Sequence, residues 1–165
     1  MVKRLLSIGL FAALLSAGVM SGASSAHYLS EDSVDGREIR YEDYTQWDDS
    51  RTWAIARWND MPDGVNVAPD NAGSIADLEV RDYNANDGLC GYWDGRTGAD
   101  LLALNSRYYS GASTHNRRAC TLHEFGHAHR LAHSYSTEVM DPCPVCVTAY
   151  TSPQSHDRAD YNGIW

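Results

Sequence analysis

Short segments of alternating apolar and polar residues predict the strands of a small sheet. Alternation over four to eight residues is typical of a strand with one buried face. Between positions 84 and 98 the chain is rich in Asn, Asp and Gly, which predicts a loop. The predicted strands are Glu38–Tyr44, Val65–Ala68, Ile75–Tyr83 and the leucine-rich Ala99–Tyr109.

Three segments predict helices. The first is capped by Thr45 and ends near Asn59, and the second begins at Ser113 or Thr114, whose hydroxyls suit a helix N-cap. A short third helix begins at about His156. The order of strands and helices predicts an α/β (α+β) domain, in which a small, mixed, twisted sheet packs on two long helices.

The first 26 residues have the composition of a secretory signal peptide. Lys3 and Arg4 precede an uncharged run whose most apolar part, Leu5–Met20, is shorter than the roughly 20 residues of a membrane span. Small residues follow it, which predicts cleavage after Ala26, with Ala23 as an alternative position. An uncleaved membrane anchor is the competing interpretation. We therefore expect a secreted, extracellular protein whose one domain spans residues 27–165.

Removal of the leader makes the chain more acidic. The net charge of the full sequence is −9, and it becomes −11 because the leader holds Lys3, Arg4 and no acid. A surface of this sign offers no electrostatic footprint for nucleic acid or for an anionic membrane. We expect a monomer that binds neither.

The segment with the clearest chemistry is His123-Glu124-Phe125-Gly126-His127. Residues four apart share one face of a helix, so His123 and His127 can bind one ion. Zinc prefers such nitrogen ligands in a tetrahedral site, and a catalytic site leaves one position to water. His133 is the natural third ligand, provided that the helix ends near Arg130.

These residues resemble the motif of the metzincin zinc peptidases, H-E-x-x-H-x-x-G-x-x-H, with Arg130 at the position of the family's Gly. The segment Ser136–Pro142 resembles the Met-turn of that family, and Pro142 is similar to the residue found in matrixins. The resemblance implies a metzincin-like catalytic domain with a Met-turn and a short C-terminal helix.

The resemblance also implies an activity, that of a secreted zinc endopeptidase acting on polypeptides. His123, His127 and His133 would hold zinc, Glu124 would be the general base, and Met140 would lie beneath the ligands. Two alternatives remain open: a zinc-binding module or inhibitor without activity, and an amidase that uses the same chemistry on cell-wall peptides. Glu124 favours an enzyme, because a structural metal site has no use for it.

Four cysteines, an even number in a chain expected to be secreted, predict two disulfides with three possible pairings. Cys143 and Cys146 form a C-x-x-C sequence that fits a local disulfide, a redox motif or a zinc motif. If the local disulfide forms, Cys90 pairs with Cys120 and ties the end of the sheet to the second long helix.

The remaining candidate residues have simpler interpretations. Asp82, Asn84 and Asn86 resemble the start of a calcium-binding loop, but the glycine comes one place late, so a turn is the favoured interpretation over a Ca²⁺ site. His129 is expected near a helix C-terminus, where a cation is favoured. We expect His115 and His156 at the surface.

Overall fold

Five strands form one mixed sheet in the computed structural model, which describes residues 27–62, 64–73, 75–142 and 150–165. Their order across the sheet is β2-β1-β3-β5-β4, with parallel neighbours except for the antiparallel pair of β4 and β5. The strands are β1 Glu38–Tyr44, β2 Asn66–Pro69, β3 Leu78–Tyr83, β4 Gly91–Asp94 and β5 Asp100–Asn105.

Four helices accompany the sheet in the described part of the chain. The two long ones, α1 and α3, pack against each other, and α3 also contacts β4 and β5. Residue Trp58 of α1 is fully buried, donates its indole N–H to the carbonyl of Leu122 at 3.0 Å, and stacks on Tyr161. One side chain thus connects three helices. The helices are α1 Asp48–Asn59, α2 Ser106–Tyr109, α3 Thr114–Ala128 and α4 Ser155–Ile164.

The coarse fold class is confirmed: the described residues form a mixed α/β domain in which the two long helices pack together and α3 also contacts the mixed sheet, and a short helix follows. The bounds of β1 agree with the prediction. Ser113 caps α3, because its hydroxyl accepts the N–H of Asn116 at 3.1 Å. The final helix begins at Ser155, one residue before the predicted position.

Three predicted elements were wrong in extent. The predicted loop of residues 84–98 contains β4, a four-residue edge strand too short to show alternation. The predicted strand Ala99–Tyr109 ends at Asn105, whose side chain accepts the N–H of Arg107 and so starts α2. Helix α1 begins at Asp48, because Thr45 instead accepts the N–H of Trp47 and donates to Asp82.

The start of β3 also differs from the prediction. The strand begins at Leu78, and Ile75 is 88% exposed in the preceding segment. The backbone of β1 accounts for the later start, since its pairing with β3 begins where Tyr41 faces Leu78.

Two predictions concern residues outside the described part of the chain. They are the signal peptide of residues 1–26 and the second disulfide, between Cys143 and Cys146. Both stay predictions. Within the described residues, no helix has the length and the apolar composition needed to cross a membrane.

The predicted disulfide between Cys90 and Cys120 is confirmed. Cys90 directly precedes β4, and Cys120 lies in α3, three residues before His123. The bond therefore fixes the edge of the sheet to the helix that carries the histidines. It closes a loop with a sequence separation of 30 residues.

Replacing both Cys90 and Cys120 by alanine should lower the free energy of unfolding by about 3–4 kcal/mol, because the unfolded chain regains the freedom of the closed loop. Urea unfolding of the variant and of the oxidised parent measures this difference. Reducing agent should shift the parent toward the variant and change the variant much less, because the predicted local disulfide between Cys143 and Cys146 would close only a short loop. Equal stabilities of the two proteins would contradict the prediction.

Candidate metal centre

Three histidines meet at one point beside the C-terminal half of α3. Ligand nitrogens of His123, His127 and His133 all lie within 4.8 Å of one another. The Nε2 atoms of His123 and His133 are 3.3 Å apart, and the three ring centroids are separated by 4.8 to 5.2 Å. The predicted set of three histidines is therefore brought together, in an arrangement that could hold a metal ion.

Backbone carbonyls orient two of these imidazoles. Nδ1 of His123 lies 2.8 Å from the carbonyl oxygen of Val139, and Nδ1 of His127 lies 2.8 Å from that of Leu131. Since a carbonyl can only accept, each Nδ1 carries the hydrogen and each Nε2 keeps its lone pair. This is the second-layer arrangement typical of metal-binding histidines.

The protonation of the histidines also suits a metal. Burial lowers the pKa of His123 to about 4, and burial together with the nearby His123 lowers that of His127 to about 3. The pKa of the exposed His133 is lowered as well, chiefly by burial of part of its ring. Neutral imidazole is the form that binds metal, so no proton has to be removed near pH 7.

A left-handed turn after α3 brings His133 to the site. Arg130 has a φ of +75°, its N–H bonds the carbonyl of His127 at 2.8 Å, and the N–H of Leu131 bonds that of Gly126 at 3.0 Å. These two bonds define a Schellman motif, in which the left-handed residue is usually glycine. The predicted break near Arg130 is confirmed, and the carbonyl of Leu131 that orients His127 belongs to the same turn.

The N-terminal segment holds Arg130 in this conformation. The backbone N–H of Leu29 donates to the carbonyl of Arg130 at 2.7 Å, and Nε of Arg130 donates to the carbonyl of Leu29 at 3.0 Å. The guanidinium also lies near the ring of Tyr28 and 3.8 Å from the carboxylate of Asp32. Left-handed backbone costs a non-glycine residue about 1–2 kcal/mol, and these contacts oppose that cost.

The loop that contains Met140 packs under α3. Met140 is 1% exposed, and a Cβ built on Gly126 would overlap its sulfur. The same Cβ would lie 3.3 Å from the ring of Trp58. Only glycine at position 126, between His123 and His127, therefore allows Met140 to approach the helix this closely.

Two buried acids connect this loop to α4. Asp157 accepts the backbone N–H groups of Val139 and Met140 at 2.9 and 3.1 Å. In return, Glu138 accepts the N–H groups of His156 and Asp157, at 3.1 and 3.3 Å, in the first turn of α4. Because the carbonyl of Val139 orients His123, the acid of α4 fixes a metal-site histidine through one peptide unit.

Glu124 belongs to α3, and its side chain faces the edge strand β4. Its side chain is almost fully buried, and burial raises the pKa of its carboxyl to about 8, against a hydrogen bond from the backbone of Trp93 that lowers it. A Cβ on Gly91 would come within 3.0 Å of its Cγ. A cleft of about 180 Å³ opens here, and its walls include Glu124, the three histidines, Tyr92 and Trp93.

The structure corrects the prediction for His129. It follows α3 directly, as expected, but it is fully buried against Trp58, and burial lowers the pKa of its imidazole to about 4. It is therefore neutral, because the apolar surroundings outweigh the attraction of a helix C-terminus for a cation. His115 is exposed, as predicted. The prediction that His156 lies at the surface was wrong, because only 11% of its side chain is exposed to solvent.

The residues of the predicted calcium-like loop have other partners. The carboxylate of Asp82 accepts from Thr45 and Gln46, and the chain at Asn84 and Asn86 is neither helix nor strand. Asp82 lies in β3 and the two asparagines lie in an irregular loop, so the preference for a turn over a Ca²⁺ site stays a prediction.

Gly91 and Trp93 were not recognised as site residues from the sequence. Both lie in the segment that was predicted as a loop. A usable signal was present, since Gly91-Tyr92-Trp93 places a glycine directly before two aromatic residues, which is common where a strand passes close to another backbone or side chain.

Comparison with known proteins gives little beyond this geometry. No protein-family model matches the sequence, and no curated protein matches it. A solved structure described as "GM1 bound form of the ECX AB5 holotoxin" superimposes with a TM-score of 0.45 at 13% identity, over 74% of this chain and 69% of that one. The chemistry of the site therefore follows from its own residues.

Replacing Gly126 by alanine should destabilise the protein by about 1–3 kcal/mol, because the added methyl group displaces Met140 in a packed core. Gly163 is the matched control: it also lies in a helix, and a Cβ there meets no atom within 4 Å. Its replacement by alanine should leave stability unchanged or raise it by up to about 1 kcal/mol. Thermal unfolding of both variants measures the contrast, and equal effects would contradict it.

At position 130, a glycine variant should be more stable than an alanine variant, which is the reverse of the order inside a helix. Both variants lose the side-chain contacts with Leu29, but only alanine keeps the left-handed strain, so the glycine variant should be more stable by about 1–2 kcal/mol. Arg118, inside α3, supplies the control, because alanine should be the better replacement there by about 1 kcal/mol. Urea unfolding of the four variants measures both differences. A more stable alanine variant at position 130 would contradict the prediction.

Proposed function

We propose that this chain is a secreted zinc-dependent endopeptidase of metzincin-like type. The observation that supports the proposal most directly is the convergence of His123, His127 and His133 beside a buried Glu124. The metal set contains nitrogen atoms alone, and it leaves room for water and substrate in the cleft.

Imidazole nitrogens favour zinc, and one pair of donors has the separation of a tetrahedral zinc site. Zinc–nitrogen bonds of about 2.0–2.1 Å in a tetrahedral site place two ligand nitrogens roughly 3.3–3.4 Å apart. The Nε2 atoms of His123 and His133 are separated by 3.3 Å. Imidazole ligands alone also disfavour calcium and magnesium, which bind oxygen.

The proposed reaction is hydrolysis of a peptide bond. Zinc in a three-histidine site supplies a Lewis acid that polarises a carbonyl and makes water acidic near pH 7. Glu124, adjacent in sequence to the first ligand, would accept a proton from the attacking water and deliver it to the leaving amine. A zinc ion beside it would lower its raised pKa of about 8, because a nearby positive charge favours the carboxylate form that a general base needs. The hydrogen bond from the backbone of Trp93 holds the carboxylate at the cleft.

Strand β4 supports a polypeptide as the substrate. Among the described residues it is the last strand in the sheet order and pairs with β5 alone, and it borders the cleft through Gly91, Tyr92 and Trp93. An extended peptide can pair with the free side of such an edge strand and present a carbonyl to the metal. The disulfide at Cys90 fixes this strand relative to α3.

A metal-binding module without activity is the alternative suggested by Arg130, which stands where the family motif has glycine. The left-handed conformation of that residue forms the turn that glycine provides in the family motif, so His133 lies beside His123 and His127, which supports its role as the third ligand. A buried glutamate at the cleft also has no structural purpose that an apolar residue would not serve better. Both observations favour the enzyme.

Cleavage of unfolded casein by the purified protein tests the proposal. We expect cleavage that 1,10-phenanthroline abolishes and that added zinc restores. Glu124→Gln should keep the zinc and the fold and lower turnover by about 10²–10⁴-fold, because glutamine has the shape of the neutral acid but accepts no proton. His133→Ala should lose both zinc affinity and cleavage.

Two matched controls accompany these variants. Glu42→Gln changes a half-buried carboxylate of β1 that does not line the cleft, and His115→Ala removes an exposed histidine from α3, so both should behave as the parent. Turnover of Glu124→Gln within tenfold of the parent would contradict the role of Glu124. Zinc that stays bound at full affinity in His133→Ala would remove His133 from the site.

A further inference from the structure

A second cluster of metal-ligating side chains lies outside the centre described above. It joins the two ends of the described chain, with His27 from the N-terminal segment and His156 and Asp160 from α4. Nδ1 of His27 is 3.1 Å from Nε2 of His156 and 3.4 Å from Oδ2 of Asp160. Nε2 of His156 is 3.2 Å from the same carboxylate oxygen.

We propose that His27, His156 and Asp160 form a second zinc site with a structural role. The three ligand atoms make a triangle with sides of 3.1 to 3.4 Å, which is the separation, about 3.3–3.4 Å, that tetrahedral zinc imposes on its ligands. Two imidazole nitrogens and one carboxylate oxygen are also a usual ligand set for zinc.

The cluster is enclosed rather than spread on the surface. Side-chain exposure is 5% for Asp160, 11% for His156 and 27% for His27. His156 and Asp160 are four residues apart in α4 and so share one helix face. The ring of Tyr135 packs against both imidazoles, at centroid distances of 5.3 and 4.7 Å. A buried carboxylate has to be paired with a positive charge or coordinate a metal, and an ion bound by both imidazoles would serve that purpose.

The position of the cluster explains what a bound ion would do. The carbonyl of His27 accepts the N–H of Ala132 at 3.0 Å, and the next residue, Tyr28, pairs with Leu131. An ion that ties His27 to α4 would therefore secure the segment that holds Arg130 in its left-handed turn. The second site would stabilise the geometry of the first without taking part in its chemistry.

The same three residues also fit a metal-free network of hydrogen bonds between two histidines and an acid. The two interpretations differ in stoichiometry. A network binds no zinc, whereas a second site adds one equivalent that does not depend on His123 and His127.

Zinc content after dialysis against buffered zinc, measured by mass spectrometry of the metal, tests the proposal on the full chain. We expect two equivalents in the parent and in the control His115→Ala. One equivalent should remain in His27→Ala, in His156→Ala and in Asp160→Asn. His127→Ala should also keep one, and the double variant His127→Ala with His156→Ala should keep none.

Thermal unfolding gives a second measurement. Zinc should raise the melting temperature of His127→Ala, in which the second site alone remains, and this rise should be absent when His27→Ala is added. His27 lies in an irregular segment, so its replacement leaves the helices intact even if Asp160→Asn unfolds the protein.

The outcomes separate this proposal from the proposed function. Zinc lost only in variants of His156 and His27 would support the second site and contradict the catalytic one. Equal zinc content and equal zinc-induced stabilisation with and without His27 and His156 would overturn the second site, whatever the activity of the enzyme.

Discussion

The candidate metal centre depends on one backbone conformation, the left-handed turn at Arg130. A helix that continued past Ala128 would carry His133 to another face, away from His123 and His127. The turn reverses the chain instead, and its carbonyl at Leu131 also orients His127. The positions of His127 and His133 therefore depend on a left-handed backbone conformation that is unfavourable for arginine.

The contacts that fix the turn at Arg130 and the loop that orients His123 come from distant parts of the chain. The N-terminal segment binds both the backbone and the side chain of Arg130, while α4 binds the loop that orients His123. Core packing alone would allow small shifts in either loop. Hydrogen bonds to fixed backbone groups give the imidazoles a single orientation, which a site for a metal ion requires.

Local rules were enough to predict part of this arrangement. The separation of His123 from His127 is a property of any α-helix, and the distance to His133 required a break that the structure places at Arg130. The cap at Ser113 and the bounds of β1 also follow from nearby residues. Each of these features depends on no more than about eleven consecutive positions.

The features that could not be predicted depend on partners far away in the sequence. Strand β4 exists because β5 pairs with it, and nothing in its four residues shows this. His129 is neutral because Trp58, 71 positions earlier, covers its ring. The exchange of hydrogen bonds between Glu138 and Asp157 likewise needs the final helix in place.

This dependence has a consequence for how the protein forms. The hydrogen bond from Val139 to Asp157 joins residues 18 positions apart, and the pairing of Tyr28 with Leu131 closes a far longer loop. Closing such loops costs chain entropy before the contacts can offset it. During synthesis, α3 leaves the ribosome while α4 is still missing, so His123 has no fixed orientation at that stage. The arrangement of the three histidines can be completed only after α4 has emerged and docked, so a chain that lacks α4 would not present an assembled candidate centre.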